Sequence, residues 1–199
     1  MEGELAILHQ EVQCCRRCSG LRPWRKFKTD THGNPAARFM IVGEAPGEKS
    51  LGAGGPWRGQ AGQRLRKVLK QLGWKLEEVD YLTDAVKCGP PGNRQPVPAE
   101  CANCAHFLAQ EIALVKPKRI VTFGGLAFSL LAGSLFRESA EAKWGPVAPR
   151  VTEIHNDDGY CVLEGAQAAL IPLLHPSRAN MYMDYDLYSR HLREVFSGR

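Results

Sequence analysis

The amino-acid sequence predicts an α/β fold, a single three-layer domain over residues 1–199 whose central, mostly parallel four-stranded sheet carries helices on both faces. Two observations support this. Four short apolar runs end in turn signals or polar clusters, as buried parallel strands do, and helical patterns lie between them. The length of 199 residues suits one well-buried domain and is short for two.

The elements follow in chain order. The strands are predicted at 38–43, 81–86, 119–124 and 169–174. The helices are predicted at 61–74, 98–115, 125–133 and 184–196, and the first has apolar residues at i, i+3, i+4 and i+7. The polar stretch 134–168 is expected to be an irregular surface excursion. Because ligands of open α/β sheets bind beyond the carboxyl ends of the strands, the loops GEAPGE, KCGPPGNR, FGG and HPSR are the predicted site.

The charge distribution and the N-terminal sequence bear on the protein's partners and its location in the cell. The formal charge of +5 is concentrated at 16–28 and 116–119, which fits either a polyanionic partner or ordinary solvated surface charge. The N-terminus is acidic with a helical pattern instead of basic and then apolar, so we expect no signal peptide and a cytoplasmic location. No apolar run approaches the roughly 18 residues that cross a bilayer.

The glycine-rich loop at 43–62 matches neither common phosphate-binding pattern. It does supply two carboxylates, Glu44 and Glu48, of the kind that activate water, and it presents Trp57, which could stack on a flat ligand. The alternative is a turn with two solvated glutamates and a packed tryptophan. His175, at the end of the last strand, could polarise a developing anion or serve a structural role.

Seven cysteines without a secretion signal favour thiolate ligands over disulfides. Cys15 with Cys18 and Cys101 with Cys104 form two C-x2-C pairs, and Cys88 lies in the loop before the second pair. These spacings suit either zinc or an iron-sulfur cluster. Six candidates for four positions leave two spares, and Cys161 is expected to be a packed thiol.

Together these residues resemble the uracil-DNA glycosylase superfamily, specifically its iron-sulfur branches, families 4 and 5. GEAPGE resembles the first motif of family 4, GQAGQRL the start of the following helix, VKCGPPGNRQPVPAE the cysteine loop of both branches, and HPS the final motif. The N-terminal CRRCSGLRPWR is closer in spacing to family 5. The similarity covers roughly residues 14 to 195, apart from the excursion.

The resemblance implies a monofunctional, monomeric DNA glycosylase that flips uracil or a related deaminated base out of DNA and hydrolyses its N-glycosidic bond. By motif position, Cys15, Cys18, Cys88 and Cys104 would hold a structural 4Fe-4S cluster, with Cys14 and Cys101 as the spares; zinc is the alternative metal. The cluster would staple the N-terminus to the cysteine loop.

The resemblance also assigns roles at the site. His175 would donate to the leaving base, and Glu44, held by Asn93, would position water or stabilise the sugar cation, with Glu48 as second choice. Backbone amides near Gly43 and Gly47 would hold the base, Trp57 would take the place of the family's stacking Phe, and Ser177 and Arg178 of the last motif would contact the substrate.

Three departures from the family pattern stand out. Ala45 occupies the place of family 1's water-activating Asp, and the wedge leucine is replaced, so Arg178 or Met181 would fill the vacated base site. Asp84 stands where family 4 has a base-reading asparagine. Three interpretations of Asp84 are open. It could set specificity for a different base, such as a cytosine-type or modified base, or it could contradict the uracil assignment. It could also be a packed carboxylate that pairs with Lys87 or Arg94. A rival reading is a DNA-binding module that has lost catalysis.

Overall fold

The computed structural model describes residues 2–21, 32–177 and 182–197. Its sheet has the order β2-β1-β3-β5-β4, and β1, β2, β3 and β5 are parallel. The strands are β1 Phe39–Gly43, β2 Asp80–Asp84, β3 Arg119–Phe123, β4 Leu163–Glu164 and β5 Ala169–Leu173. Their side chains are almost entirely buried, because layers cover both faces of the sheet.

Helices cover the sheet in two groups, in which α1 packs on α5 and α3 packs on α9. The helices are α1 Glu2–Cys14, α2 Glu48–Gly52, α3 Gln60–Gln71, α4 Leu76–Val79, α5 Pro98–Val115, α6 Gly125–Ala132, α7 Arg137–Trp144, α8 Val151–Ile154 and α9 Tyr185–Ser197. None of the helices within the described ranges is long and apolar enough to cross a membrane. The α/β prediction is confirmed, and each predicted strand or helix begins and ends within three residues of its observed bounds.

Two expectations are wrong. The sheet has five strands instead of four, because the two-residue β4 adds antiparallel to β5. Residues 134–168 are not an irregular excursion either: they form α7, α8 and β4, and bury Phe136, Val151 and His155. These elements are too short for their apolar periodicity to stand out among polar neighbours.

The outer edge of β2 is covered by the chain just before β1. The Leu82 N–H donates to the carbonyl of His32 (2.7 Å), the Asn34 N–H donates to the carbonyl of Asp80 (3.0 Å), and Gly33 forms an antiparallel bridge with Tyr81. Each outer parallel strand is therefore paired over part of its length, β5 by β4 and β2 by residues 32–34.

The helix α5 begins directly after the cysteine loop and has a strong N-terminal anchor. Glu100 Oε2 accepts a hydrogen bond from the Val97 N–H (2.9 Å), and both carboxylate oxygens accept from Arg94 (2.7 and 2.9 Å). The carboxylate thus satisfies a backbone donor that the helix leaves unpaired. This anchor fixes the loop against the first two turns of α5, where Cys101 and Cys104 lie.

Candidate active site

The first part of the site is the close approach of β1 and β2 at their carboxyl ends. Gly43 lies opposite Asp84 in the parallel register. A Cβ atom on Gly43 would lie 2.2 Å from Asp84 Oδ1 and 3.2 Å from the Trp57 ring. Only glycine leaves room for both groups, so this position brings the carboxyl and the indole together.

Trp57 connects three strand ends. Its ring packs edge-on against Phe123, with centroids 5.1 Å apart, and stacks on His175 at 6.1 Å. The side chain is 7% exposed, and its Nε1–H has no hydrogen-bond partner in the part of the chain that the structure describes. A buried indole normally finds an acceptor for this hydrogen. The site therefore holds a flat ring and a buried, unsatisfied donor beside Asp84 and His175.

The Trp57 backbone has a left-handed conformation (φ 57°), which costs energy for a bulky residue. The start of α3 holds it there. Arg66 donates to the Trp57 carbonyl, and a Cβ on Gly62 would lie 1.6 Å from the same oxygen. Neither Arg66 nor Gly62 has a role that the sequence pattern predicted, although Gly62 lies within the GQAGQRL motif and Arg66 directly follows it.

His175 is oriented by the residues that follow it. The Ser177 N–H donates to His175 Nδ1 (3.3 Å), and Ser177 Oγ lies 2.7 Å from the same nitrogen. Because a backbone N–H can only donate, Nδ1 is the acceptor, and the neutral ring carries its hydrogen on Nε2. Arg64 of α3, which sequence analysis missed, donates to the Pro176 carbonyl (2.6 Å) and fixes this turn.

Two buried side chains hold the backbone of Leu174, the residue directly before His175. The Leu174 N–H donates to His155 Nδ1, and Tyr188 donates to the Leu174 carbonyl, both at 2.8 Å. His155 Nε2 lies 3.1 Å from His191. Burial lowers the pKa of His155 to about 3, so its ring is neutral and able to accept. No motif in the sequence pointed to His155, because its partner lies 19 residues further along.

Asp84 has an unusual protonation equilibrium. Its side chain is 7% exposed, and burial raises the pKa of its carboxyl to about 7; Lys87 partly offsets this rise, while the charges of Glu111 and Glu44 add to it. The Lys87 ammonium bonds to Glu111, Thr83 and the Asp84 backbone carbonyl instead of the Asp84 carboxyl. Arg94 pairs with Glu100. The alternative of a carboxylate paired with Lys87 or Arg94 is therefore wrong.

The two glutamates of the loop differ in position. Glu44, half-buried, directly follows β1 and is close enough to affect the pKa of Asp84. Glu48 is exposed at the start of α2, where its backbone N–H donates to Asn93 Oδ1 (2.9 Å). The Asn93 side chain was expected to hold Glu44. It instead accepts a hydrogen bond from the Glu48 backbone. Ala45 and Gly47 lie between the two glutamates, whereas Arg178 and Met181 fall outside the described residues.

Cysteines gather beside α1 and α5. Cys88, Cys101 and Cys104 are buried in one apolar cluster, with Cys15 and Cys18 packed against it. The Lys87 N–H donates to Cys104 Sγ (3.3 Å). Five of the seven cysteines therefore lie together, and their side chains are of the type that holds zinc or an iron-sulfur cluster.

Comparison with known proteins agrees with this geometry. A family model described as the uracil DNA glycosylase superfamily matches residues 31–197. A type-4 uracil-DNA glycosylase of Archaeoglobus fulgidus is 36% identical over 194 residues, covering 95% of this chain and 86% of the relative. One from Pyrobaculum aerophilum is 33% identical over 177 residues (87% and 83%).

The second iron-sulfur branch named from the sequence also matches. A type-5 uracil-DNA glycosylase of Thermus thermophilus is 33% identical over 162 residues, covering 66% of this chain and 74% of the relative. The family model spans the strand ends that carry Asp84, Trp57 and His175. The resemblance drawn from the motifs is confirmed: this chain belongs to the uracil DNA glycosylase superfamily.

Proposed function

We propose that this protein excises uracil from DNA by hydrolysing the N-glycosidic bond of a flipped-out nucleotide. The observation that carries the proposal is the single site formed at three strand ends, where the Trp57 ring contacts His175 and lies beside Asp84. A ring to stack on, a group to read the base edge and a donor for the leaving group are the parts that base excision requires. The relatives' names agree with this activity.

His175 stabilises the departing base. As the glycosidic bond breaks, negative charge develops on an oxygen of the base, and a donor preorganised toward that oxygen lowers the barrier. Acceptance of the Ser177 N–H at Nδ1 directs the remaining ring hydrogen to Nε2. His175 thus acts as a neutral donor, and the base leaves as a stabilised anion.

Glu44 is our assignment for the group that positions water or stabilises the sugar cation. It follows β1 at the half-buried rim of the site, and its negative charge acts on Asp84. An anion near an oxocarbenium-like centre is stabilising. Glu48 is exposed, so it remains the second choice, and Asn93 shapes the loop by binding the Glu48 backbone.

Asp84 reads the base in its protonated form. A protonated carboxyl offers one O–H donor and one carbonyl acceptor, which is the hydrogen-bonding pattern of an asparagine amide. It can therefore accept from uracil N3–H and donate to O4. The raised pKa makes this form available near neutral pH. An ionised Asp84 would instead accept from an amino group, which is the basis of the cytosine-type alternative.

The cofactor assignment is a 4Fe-4S cluster held by Cys15, Cys18, Cys88 and Cys104. Support comes from their shared apolar cluster and from the Lys87 N–H on Cys104, a contact that stabilises a thiolate. When bound, the cluster cross-links the chain structurally. It would join the residues after α1 to the cysteine loop and to α5.

Excision from oligonucleotides carrying uracil, hypoxanthine, xanthine, cytosine or 5-modified cytosine tests the proposal. We expect cleavage of uracil, with loss of activity and retained DNA affinity in His175→Ala. Glu44→Gln and Glu48→Gln form a matched pair of variants, and we expect the Glu44→Gln variant to excise uracil much more slowly than the Glu48→Gln variant. A protein that binds DNA but releases no base would instead be a DNA-binding module, and selective release of cytosine would establish the alternative substrate.

A further inference from the structure

A second group of ligand-type side chains lies buried between α1, β2 and α5. His9 of α1, His32 and Glu111 of α5 each offer one nitrogen or oxygen, and these atoms all lie within 4.8 Å of one another. The His9 and His32 rings stack with centroids 4.4 Å apart. Three separate parts of the chain thus place the side-chain types that bind transition metals at one point.

The Glu111 carboxylate is only half satisfied. Its Oε2 accepts from Thr83 Oγ1 and from Lys87 Nζ, both at 2.7 Å. Its Oε1 is buried, accepts no hydrogen bond of normal geometry from the residues that the structure describes, and lies 3.9 Å from His9 Nε2. Burial raises the pKa of the Tyr81 hydroxyl, and the carboxylate is close enough to that group to raise its pKa further. Buried carboxylate oxygens are normally paired or bound to a metal. Glu111 Oε1 therefore indicates a ligand at this point.

The orientation of His32 suits metal binding. Its Nδ1 lies 2.6 Å from the Leu82 carbonyl oxygen, which can only accept, so the ring hydrogen is on Nδ1. The lone pair is then on Nε2. A backbone carbonyl that fixes the opposite ring nitrogen in this way is the usual support of a metal-bound histidine.

The three residues line a small cavity together with Thr83, Asp84, Lys87 and other neighbours. The Lys87 ammonium is already bonded to Glu111 Oε2, so an ion would bind at Oε1. Its free volume is about 10 Å³, which is room for one water-sized particle. Tetrahedral coordination by three protein groups leaves one position for water. The cavity provides the space for it.

We propose that His9, His32 and Glu111 bind a divalent transition-metal ion of the zinc type. Two imidazoles and one carboxylate favour zinc over magnesium or calcium, which prefer all-oxygen sites. Binding requires one of the two stacked imidazole rings to rotate, because a bound ion lies in the plane of each ligating ring. It also displaces the Tyr81 hydroxyl, which lies 2.7 Å from His9 Nε2. The ion joins α1 and the segment before β1 to α5, independently of the cysteines.

The test is metal binding by the full chain with its cysteine-bound group in place. Zinc is titrated in equilibrium dialysis, and metals are counted per chain by elemental analysis. We expect one zinc beyond the metal at the cysteines, with affinity at least about 10-fold weaker in His32→Gln and in His9→Gln. His106→Gln, which changes another half-buried histidine on α5, should bind zinc as the wild type does.

Cobalt(II) separates this site from the cysteines, because nitrogen and oxygen ligands give no intense thiolate-to-metal charge-transfer band. Circular dichroism confirms that each variant is folded. If Glu111→Gln does not fold, the test uses the two histidine variants alone. The proposal is overturned if the wild type takes up no additional zinc, if the histidine variants bind it unchanged, or if bound cobalt shows the thiolate band.

Discussion

At the scale of single residues, we expect the protonation of Asp84 to govern the pH dependence of uracil excision. With a pKa of about 7, raised by burial, the carboxyl is roughly nine-tenths protonated at pH 6 and one-tenth at pH 8. Because the protonated form matches uracil, kcat/KM for uracil should fall up to about 10-fold as pH rises across this range. The rate is measured at constant ionic strength.

Asp84→Asn supplies the internal control, since its amide does not titrate. The ratio of wild-type to variant rates removes the contribution of every other titrating group. A ratio that falls with rising pH supports protonated Asp84 as the reader of uracil. A flat ratio would show that this carboxyl does not face the base.

Trp57 adds a donor that a phenylalanine at the same position cannot supply. Its Nε1–H is buried without a partner in the described part of the site. If it donates to the bound base, Trp57→Phe keeps the stacking face but lowers kcat/KM by roughly 2- to 10-fold, the effect of one hydrogen bond of about 0.5 to 1.5 kcal/mol. An unchanged kcat/KM, measured on the folded variant, would exclude a hydrogen bond from Trp57 Nε1–H to the base.

At the scale of elements, the end of β5 is held by a clamp on Leu174. Tyr188→Phe removes the donor to the Leu174 carbonyl and leaves a buried acceptor unsatisfied. We expect a loss of about 1 to 3 kcal/mol in the free energy of unfolding. We also expect lower kcat with little change in DNA affinity, because the neighbouring His175 loses its fixed position.

Tyr160→Phe is the matched control for the clamp, because Tyr160 is only half-buried and its ring lies edge-on to His155 at 6.5 Å between centroids. Denaturant unfolding gives the stability and single-turnover excision gives the rate. Equal effects of the two substitutions would show that the Leu174 contact has no special role.

The N-terminus of α5 offers a second test at this scale. Glu100→Gln weakens both the contact with the Val97 N–H and the pair with Arg94. We expect a loss of about 1 kcal/mol, typical of a capping interaction. The matched Glu138→Gln, at an exposed position on α7, should change stability by less than about 0.5 kcal/mol. Thermal or denaturant unfolding distinguishes these outcomes.

At the scale of the whole molecule, the cysteine group should connect the N-terminal helix to the rest of the chain. Cys15→Ala is expected to lose most bound iron, the brown colour and part of the thermal stability. Cys14→Ala changes the adjacent exposed thiol and should retain all three. Iron content, the visible spectrum and the melting temperature are measured for both. Equal iron loss, or zinc in place of iron, would contradict the assignment.

The sequence predicted features that depend on residues close together in the chain better than contacts between residues far apart in the chain. The parallel strands and α5 follow from local apolar patterns, and their ends brought Asp84 and His175 to one edge as predicted. The pairing of Asn93 with the Glu48 backbone was missed, because the exact path of a loop is not encoded in its composition. That the chain forms one domain and acts as a monomer stays a prediction.

Long-range contacts were beyond local patterns for a physical reason. His155 and Tyr188 reach Leu174 from separate elements, and neither residue belongs to a periodic or glycine-rich signal. Asp84 was recognised as a departure, but its protonation state depends on burial and on charges distant in sequence, including Glu111. Burial and the neighbouring charges become known only when the layers are assembled.

The paired edges of the sheet have a consequence for how the protein behaves in concentrated solution. Residues 32–34 pair with β2, and the two-residue β4 pairs with Ala169 and Leu170 of β5, so part of each outer parallel edge is hydrogen-bonded within the chain. Open edges are the usual starting points for intermolecular strand pairing. The paired stretches are closed to strand pairing between copies, which favours a protein that stays unaggregated when it is concentrated.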